Sequence, residues 1–365
     1  MLALIKGLGR GGAERLLLSS ARHRDAHVAL SVGYLLPHKR ALVPALEAAG
    51  VPTTCLATGG RLDPRWLGQL RRLLSSGECD VVHVHSPVLA IATRLALRTI
   101  PAGRRPRLVS TEHNVWSSHT VPTRVADFLT ANLDDLHLAV SDAVRASMPA
   151  RLRPGTRVVR YGVELDEIRA AASAREQTRA ALGLPDGAVV VGTVANLRAT
   201  KGYPDLLAAA RRVVDVNDRV FFVSVGQGPL AEELRRRSSD LGLGERFRFL
   251  GFRNDAVHVT AAFDVFCLAS HHEGLPIALM EALALGLPIV ATTVGGVPEL
   301  LRDDVDAVLV PPKRPDLLAD ALLSLLADEP RRERLAAAAR ARAPELGAER
   351  AVRQIEAVYD ELVGD

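Results

Sequence analysis

Lysine is almost absent from this 365-residue chain: Lys6, Lys39, Lys201 and Lys313 are its only four. Arginine carries the rest of the cationic load, so a position that keeps lysine calls for a chemical reason. Cysteine is equally scarce. Cys55, Cys79 and Cys267 are odd in number and scattered, with no CxxC pair, and read as buried or incidental thiols in a reducing compartment. No apolar run approaches the roughly 20 residues needed to cross a bilayer. The apolar stretch Met1–Ile5 stops at Lys6-Gly7, too short for a secretory signal. A cytoplasmic protein is expected, peripheral at the inner face of the membrane if it meets one. Long low-complexity linkers and short-period repeats are also missing.

What is present suffices for sizeable cores. Apolar residues make up 48% of the chain, and its length suggests two domains. The net charge of +4 hides an asymmetry: residues 1–163 hold 22 Lys+Arg against 11 Asp+Glu, and the remainder 24 against 31. A basic first half favours an anionic partner, such as a phospholipid surface, a phosphorylated lipid or a nucleic acid. The plainer alternative is an arginine-rich bias spread over the surface.

Short β-branched runs alternate with amphipathic stretches throughout. Strands are expected at 1–5, 27–32, 51–56, 80–85, 107–111 and 136–140, then at 189–195, 220–225, 247–250, 265–268, 288–291 and 308–310. Helical segments lie between them, including 13–21, 64–75, 88–98 and one around 167–182, and the chain ends in helices at 317–326, 330–342 and 345–363. This alternation predicts parallel sheets covered on both faces. Two such series predict an α/β protein of two doubly wound, Rossmann-like domains facing each other across a cleft. The first would span 1–163 and the second 164–344, with 345–365 packing back on the first.

The most informative run is His272-Glu273-Gly274-Leu275-Pro276-Ile277-Ala278-Leu279-Met280-Glu281-Ala282. One carboxylate lies in a loop and the second about one turn inside the helix that follows, with Pro276 suited to that helix's first turn. The helix N-terminus seats a phosphate. Carboxylates beside such a seat would repel the phosphate unless sugar and ribose hydroxyls occupy them, which describes a nucleotide-sugar site. The bland alternative is a loop acid and an exposed helix position.

Other turns fit the same chemistry. Asn196-Leu197-Arg198-Ala199-Thr200-Lys201-Gly202 follows a strand and opens a helix, placing Arg198 and Lys201 where open α/β sheets bind ligands. Two cations beside a diphosphate would stabilise its departure. Gly226-Gln227-Gly228-Pro229 and Gly295-Gly296-Val297-Pro298 are further strand–glycine–helix turns that let backbone approach a ligand. Gly7-Leu8-Gly9-Arg10-Gly11-Gly12 fits a dinucleotide fingerprint, but the second strand lacks the carboxylate that would hold a ribose. A glycine loop that bends close to a phosphate or an acceptor remains, at Gly11 and Gly12. His83 and His85 share one face of a strand and read as core or cleft-lining, since no third metal ligand accompanies them. His113, at a strand end, is the better functional candidate. Asp304-Val305-Asp306 reads as a solvated loop, and no metal site is expected.

Together these motifs resemble the retaining glycosyltransferases of family 4, which have the GT-B fold. The resemblance runs over nearly the whole chain: Gly11–Glu14, His83–Ser86, Thr111–Asn114, Lys201-Gly202, Gly226–Leu230, Phe249–Gly251, Glu273–Pro276, Glu281-Ala282 and Gly295–Glu299. It implies that Glu273 holds donor-sugar hydroxyls and Glu281 the ribose. Lys201 would clamp the diphosphate with amides near Gly274, Leu275, Ile277 and Ala278, and the base would lie near Phe252 and Arg253. His113 would approach the transferred sugar from the first domain. Donor binding would need no metal or other cofactor, and the leaving phosphate would take the acceptor's proton.

The chain departs from the pattern in three places. Asn196 stands where the family usually has an arginine five residues before the lysine, with Arg198 the substitute cation. Tyr161-Gly162 replaces Asn-Gly at the domain junction. Asp306-Ala307 replaces a glycine before the last strand.

The expected partners are a UDP- or GDP-sugar and a glycan, lipid-linked or small-molecule acceptor from cell-envelope polysaccharide synthesis, with no nucleic acid. Contact with an anionic membrane would involve Arg65, Arg71 and Arg72 flanking Trp66, Leu67, Leu70, Leu73 and Leu74, unless those apolar residues are core. A nucleotide-sugar epimerase or hydrolase of similar architecture, or a non-catalytic binding protein, is the rival reading.

Overall fold

The structure, a computed structural model, describes residues 1–9, 11–57 and 63–364. It divides into two compact units, Met1–Gly162 with Ala348–Asp365, and Val163–Gly347.

The first unit is built on seven parallel strands: β1 (Leu2–Ile5), β2 (Ser31–Tyr34), β3 (Thr53–Cys55), β4 (Val81–Val84), β5 (Arg107–Glu112), β6 (Leu136–Ala139) and β7 (Thr156–Val158). They are ordered β3-β2-β1-β4-β5-β6-β7. Alternate side chains leave the sheet on opposite faces. Leu2, Leu4, Val82 and Val84 pack with Leu70, Leu74 and Leu89 on one side; Ala3, Ile5 and Val32 pack with Leu17 and Leu46 on the other. Each fully buried leucine contributes about 1.5–3 kcal/mol. The last helix, Ala348–Gly364, buries Val352, Ile355 and Tyr359 in this unit.

The second unit has β8 (Val189–Val194), β9 (Val220–Val225), β10 (Phe247–Gly251), β11 (Val265–Leu268), β12 (Ile289–Thr292) and β13 (Val308–Val310), ordered β10-β9-β8-β11-β12-β13. Every pairing is parallel.

Three sequence expectations shift. The strand expected at 27–32 begins only at Ser31, because Val28 N–H closes a turn on Asp25 and pairing with β1 starts at Ser31. Periodicity does not single out the three-residue β7. The helix expected around 167–182 is two, Leu165–Ser173 and Arg175–Ala181, broken at Ala174.

Both sheets reverse their strand order beside their first strand, between β1 and β4 and between β8 and β11. Loops leaving the C-terminal ends of strands at such a point diverge and leave a crevice.

Candidate active site

In the second unit, Lys201 and Glu273 leave β8 and β11, the two strands flanking the reversal. Lys201 ends a 3-10 turn, Ala199–Lys201, and Gly202 follows at φ +62°. A Cβ on Gly202 would collide with the Ala269 carbonyl oxygen, so these loops touch backbone to backbone only because position 202 is glycine. The N–H groups of His271 and His272 donate to the Thr200 carbonyl at 2.8 and 3.3 Å. His271 Nε2 also bonds Asp205 Oδ2 at 2.7 Å.

This latch sets Lys201 Nζ 2.7 and 2.8 Å from the two Glu273 oxygens. Ser270 Oγ donates to Glu273 Oε1 at 2.6 Å, and Thr292 Oγ1 in turn donates to the Ser270 carbonyl at 2.6 Å. The Glu273 side chain is buried, whereas that of Lys201 stays 23% exposed. From the β12 side, a Cβ on Gly295, at φ +52°, would collide with the Glu273 carbonyl. Gly296 N–H donates to the Gly274 carbonyl at 2.9 Å.

Pro276 does not occupy the first helical turn. It caps the helix Ile277–Ala284 with φ −78° and ψ 111°, and its carbonyl accepts from Leu279 and Met280. The helix mouth thus lies one residue later than expected, at Ile277 and Ala278, whose amides have no intrahelical acceptor. Gly274 and Leu275 lead into it. Glu281 is 6% exposed, which removes the exposed-helix alternative.

The neighbouring loops assemble around this pair unevenly. A Cβ on Gly228 would strike the Leu197 carbonyl, and Leu197 N–H donates to Gln227 O at 3.1 Å, so the β9 turn lies on the β8 loop. Asn196 and Arg198 are exposed on that loop, and no hydrogen bond joins the Arg198 guanidinium to the Lys201–Glu273 pair. Phe252 is exposed after β10, and Arg253 is turned onto its own neighbour Asp255 at 2.8 and 2.6 Å. Sequence reading missed Ser270, His271, Asp205 and Thr292. Their signal was positional, since each lies at or near an end of β11, β12 or the helix Tyr203–Val216.

In the first unit, Gly11 caps the helix Gly12–His23, so Gly12 is its first residue and not a loop residue. Arg10 lies outside the described residues. A Cβ on Gly11 would collide with the Glu14 carboxylate, whose pKa burial pushes up. His85 and His113 leave β4 and β5, with His85 Nδ1 3.2 Å from His113 Nε2. His83 bonds Tyr359 Oη through Nδ1 and Thr111 Oγ1 through Nε2, both at 2.6 Å. Tyr161 stacks on His113 with centroids 5.6 Å apart and planes within 6°. Burial pushes the His83 pKa down to about 3 and that of His113 to about 4, and His85 falls well below its ordinary value for the same reason. The Tyr359 and Tyr161 partners were not legible in the sequence.

One alternative is decided in favour of the core, and one expectation is corrected. The helix Arg65–Ser75 turns Leu70 and Leu74 into the core, with Trp66 and Leu73 packed on the same cluster, leaving only Leu67 exposed among its candidate apolar contacts. Asp306 is not solvated: it is fully buried and held by Arg302 and Arg342, each at 2.8 Å. Among the described residues no group of three or more His, Cys, Asp or Glu is arranged to hold a metal ion. No helix among them is long and apolar enough to cross a membrane.

Comparison with known proteins extends the picture. Residues 2–167 match the family described as Glycosyltransferase Family 4, and residues 174–342 that described as Glycosyl transferases group 1. The chain is 30% identical to the GDP-mannose-dependent alpha-(1-6)-phosphatidylinositol monomannoside mannosyltransferase of Mycobacterium tuberculosis, over 81% of this chain and 80% of that one. It is 26% identical to the UDP-Gal:alpha-D-GlcNAc-diphosphoundecaprenol alpha-1,3-galactosyltransferase of Escherichia coli, over 78% and 76%. Against the D-inositol 3-phosphate glycosyltransferase of Corynebacterium diphtheriae, identity is 35%, but the match spans only 45% of that protein. The crystal structure of Anabaena HepE in complex with UDP superposes with a TM-score of 0.83 at 24% identity, over 99% of each chain, and shows the shared GT-B fold. Two family descriptions in tandem, a relative aligned over four-fifths of its length and a common architecture place this chain in glycosyltransferase family 4.

Proposed function

We propose that the chain transfers a sugar, with retention of anomeric configuration, from a nucleotide diphosphate sugar to a hydroxyl of an acceptor. The Lys201–Glu273 pair at the reversal of the second sheet carries the reading. Glu273 keeps lone pairs for donor-sugar hydroxyls while Ser270 and Lys201 hold its orientation. The Lys201 ammonium neutralises charge on the departing diphosphate, where one close pairing supplies up to about 4 kcal/mol at an effective dielectric of 20 before desolvation. Glu281 takes the ribose, and the amides at Ile277 and Ala278 face the phosphates. The C1–O bond to phosphate breaks, C1 bonds the acceptor oxygen on the same face, and the acceptor's proton passes to the leaving phosphate. With a fixed ammonium in the clamp, no metal is required for donor binding.

A lipid-linked acceptor at the inner face of an anionic membrane fits the first unit. The helix Val121–Thr130 exposes Val121, Val125 and Leu129 at 60%, 53% and 69%, spaced four residues apart on one face. Between Pro87 and Ala131 the only carboxylates, Glu112 and Asp127, are buried, whereas Arg98 and Arg104 are exposed. Names of relatives specify diphosphoundecaprenol-linked and phosphatidylinositol-linked substrates.

The test is incubation with a panel of UDP- and GDP-sugars, with and without acceptor and with chelator, following the product anomer by proton NMR. Sugar transfer with retained configuration in chelator is expected. Inversion, metal dependence, or epimerised or free sugar as the sole product would overturn the corresponding element. Co-sedimentation with anionic vesicles that is unchanged in Val125→Asp/Leu129→Asp would remove the membrane face.

A further inference from the structure

The histidines beyond β4 and β5 form a directional chain whose last member is open. Burial keeps His83, His85 and His113 neutral near pH 7, so each ring carries one proton on one of two nitrogens. Both His83 nitrogens are engaged, by Tyr359 and Thr111. The Tyr161 ring is stacked on that of His113. His85 differs: Nδ1 meets His113 Nε2, while Nε2 is buried with no hydrogen-bond partner. His85 is 8% exposed.

That orphan nitrogen chooses the tautomer. A buried N–H without an acceptor is the rarer defect in folded proteins, and an unused acceptor lone pair the more tolerated one. His85 therefore keeps Nε2 bare and carries its proton on Nδ1, donating to His113 Nε2. His113 Nε2, now an acceptor, is unprotonated, and the His113 proton resides on Nδ1. That nitrogen makes no hydrogen bond within the protein among the described residues.

We infer that His85 is a positioning residue, which fixes His113 as an Nδ1–H donor presented to a substrate oxygen at the first unit, a sugar hydroxyl or a phosphate oxygen. The inference rests on the proposed transfer for its catalytic consequence, but its proton assignment belongs to the protein alone. Tyr161 holds the plane of the His113 ring and His85 its rotation within that plane, so the donor direction is set before substrate arrives. Preorganised donors of this kind act without reorganising at the moment of reaction.

The experiment has two arms on the full chain. Long-range proton–nitrogen correlation spectra of imidazole-labelled protein are expected to show His113 protonated at Nδ1 and bare at Nε2, whatever the enzyme's activity. His85→Phe removes the donor at similar ring volume. It should lower kcat about tenfold with the donor KM within about twofold, the signature of an interaction realised in the transition state. His85→Asn restores an N–H near the Nδ1 position and should recover kcat to within about threefold of the parent. Nucleotide diphosphate affinity, which tests the second unit's fold and site, should be unchanged in both variants. His113 protonated at Nε2 in the parent, or unchanged kcat in a folded His85→Phe, overturns the inference. Failure of the parent to transfer sugar overturns the function instead and leaves the proton assignment standing on the spectra.

Discussion

Two sheets with the same reversal hold opposite kinds of polar cluster. In the second unit the reversal is ionic: an ammonium, a buried carboxylate and a hydroxyl in direct contact. In the first it is neutral: three imidazoles with neighbouring centroids at 4.1 and 5.4 Å, closed off by tyrosines and a threonine. Opposite charges can be buried together when each satisfies the other. Three rings that would all be cationic cannot, so burial and mutual repulsion strip their protons. On the proposed function the ionic cluster would serve the diphosphate, and the neutral one a partner recognised by direction rather than charge.

The contrast breaks most visibly at Lys201. Lys201→Ala should lower kcat at saturating donor on the order of 10²–10³-fold, as for loss of one strong electrostatic stabiliser. Near-parental turnover would detach the ionic cluster from the chemistry. Glu281→Ala should act on binding instead, weakening nucleotide diphosphate affinity about 10–100-fold, equivalent to about 1.5–3 kcal/mol for hydrogen bonds to a charged group. Calorimetry with the free nucleotide reads this directly, and parental affinity would free Glu281 from the ribose.

The neutral cluster predicts an acid response in the first unit. With His83 near 3 and His113 near 4 when folded, against about 6.5 unfolded, the unfolded chain binds more protons between those values. Stability is then fully present above pH 6.5 and is lost as pH falls toward 4, by up to about 1.4 kcal/mol per pH unit for each such histidine. Denaturant unfolding from pH 7 to 4.5 measures the slope, and His83→Phe should reduce it. A flat profile in the parent would mean the rings are not held neutral. The smallest effect is expected from Tyr359→Phe, which leaves His83 Nδ1 without its partner and costs about 1–3 kcal/mol. Chemical unfolding followed from the last helix checks it.

Much of this was legible beforehand. The runs at 220–225, 265–268 and 308–310 coincide with β9, β11 and β13, because buried parallel strands are written as continuous apolar stretches. Lys201, Glu273 and the turns at Gly226 and Gly295 were likewise visible as loops following strands. The partners were not. Ser270 and Thr292 look like ordinary strand-end residues until two loops are laid side by side, and Tyr359 lies 276 residues from His83. The helix Arg65–Ser75 shows the ambiguity from the other side: an arginine-flanked amphipathic segment can be a surface or a core helix, the core reading was the favoured one, and packing decided for it.

By itself the chain's alternation of apolar strand and amphipathic helix determined two parallel sheets, since a strand buried on both faces needs a helical crossover to the next. It thereby placed the glycine turns, the lysine and the acids beyond strand ends. Tertiary structure decided the order of strands within each sheet, and so which of those loops became neighbours. Lys201 meets Glu273 across 72 residues of chain because β8 lies beside β11. Burial, a property of the folded chain and not of any local stretch, then decided that one cluster keeps its charges and the other gives them up.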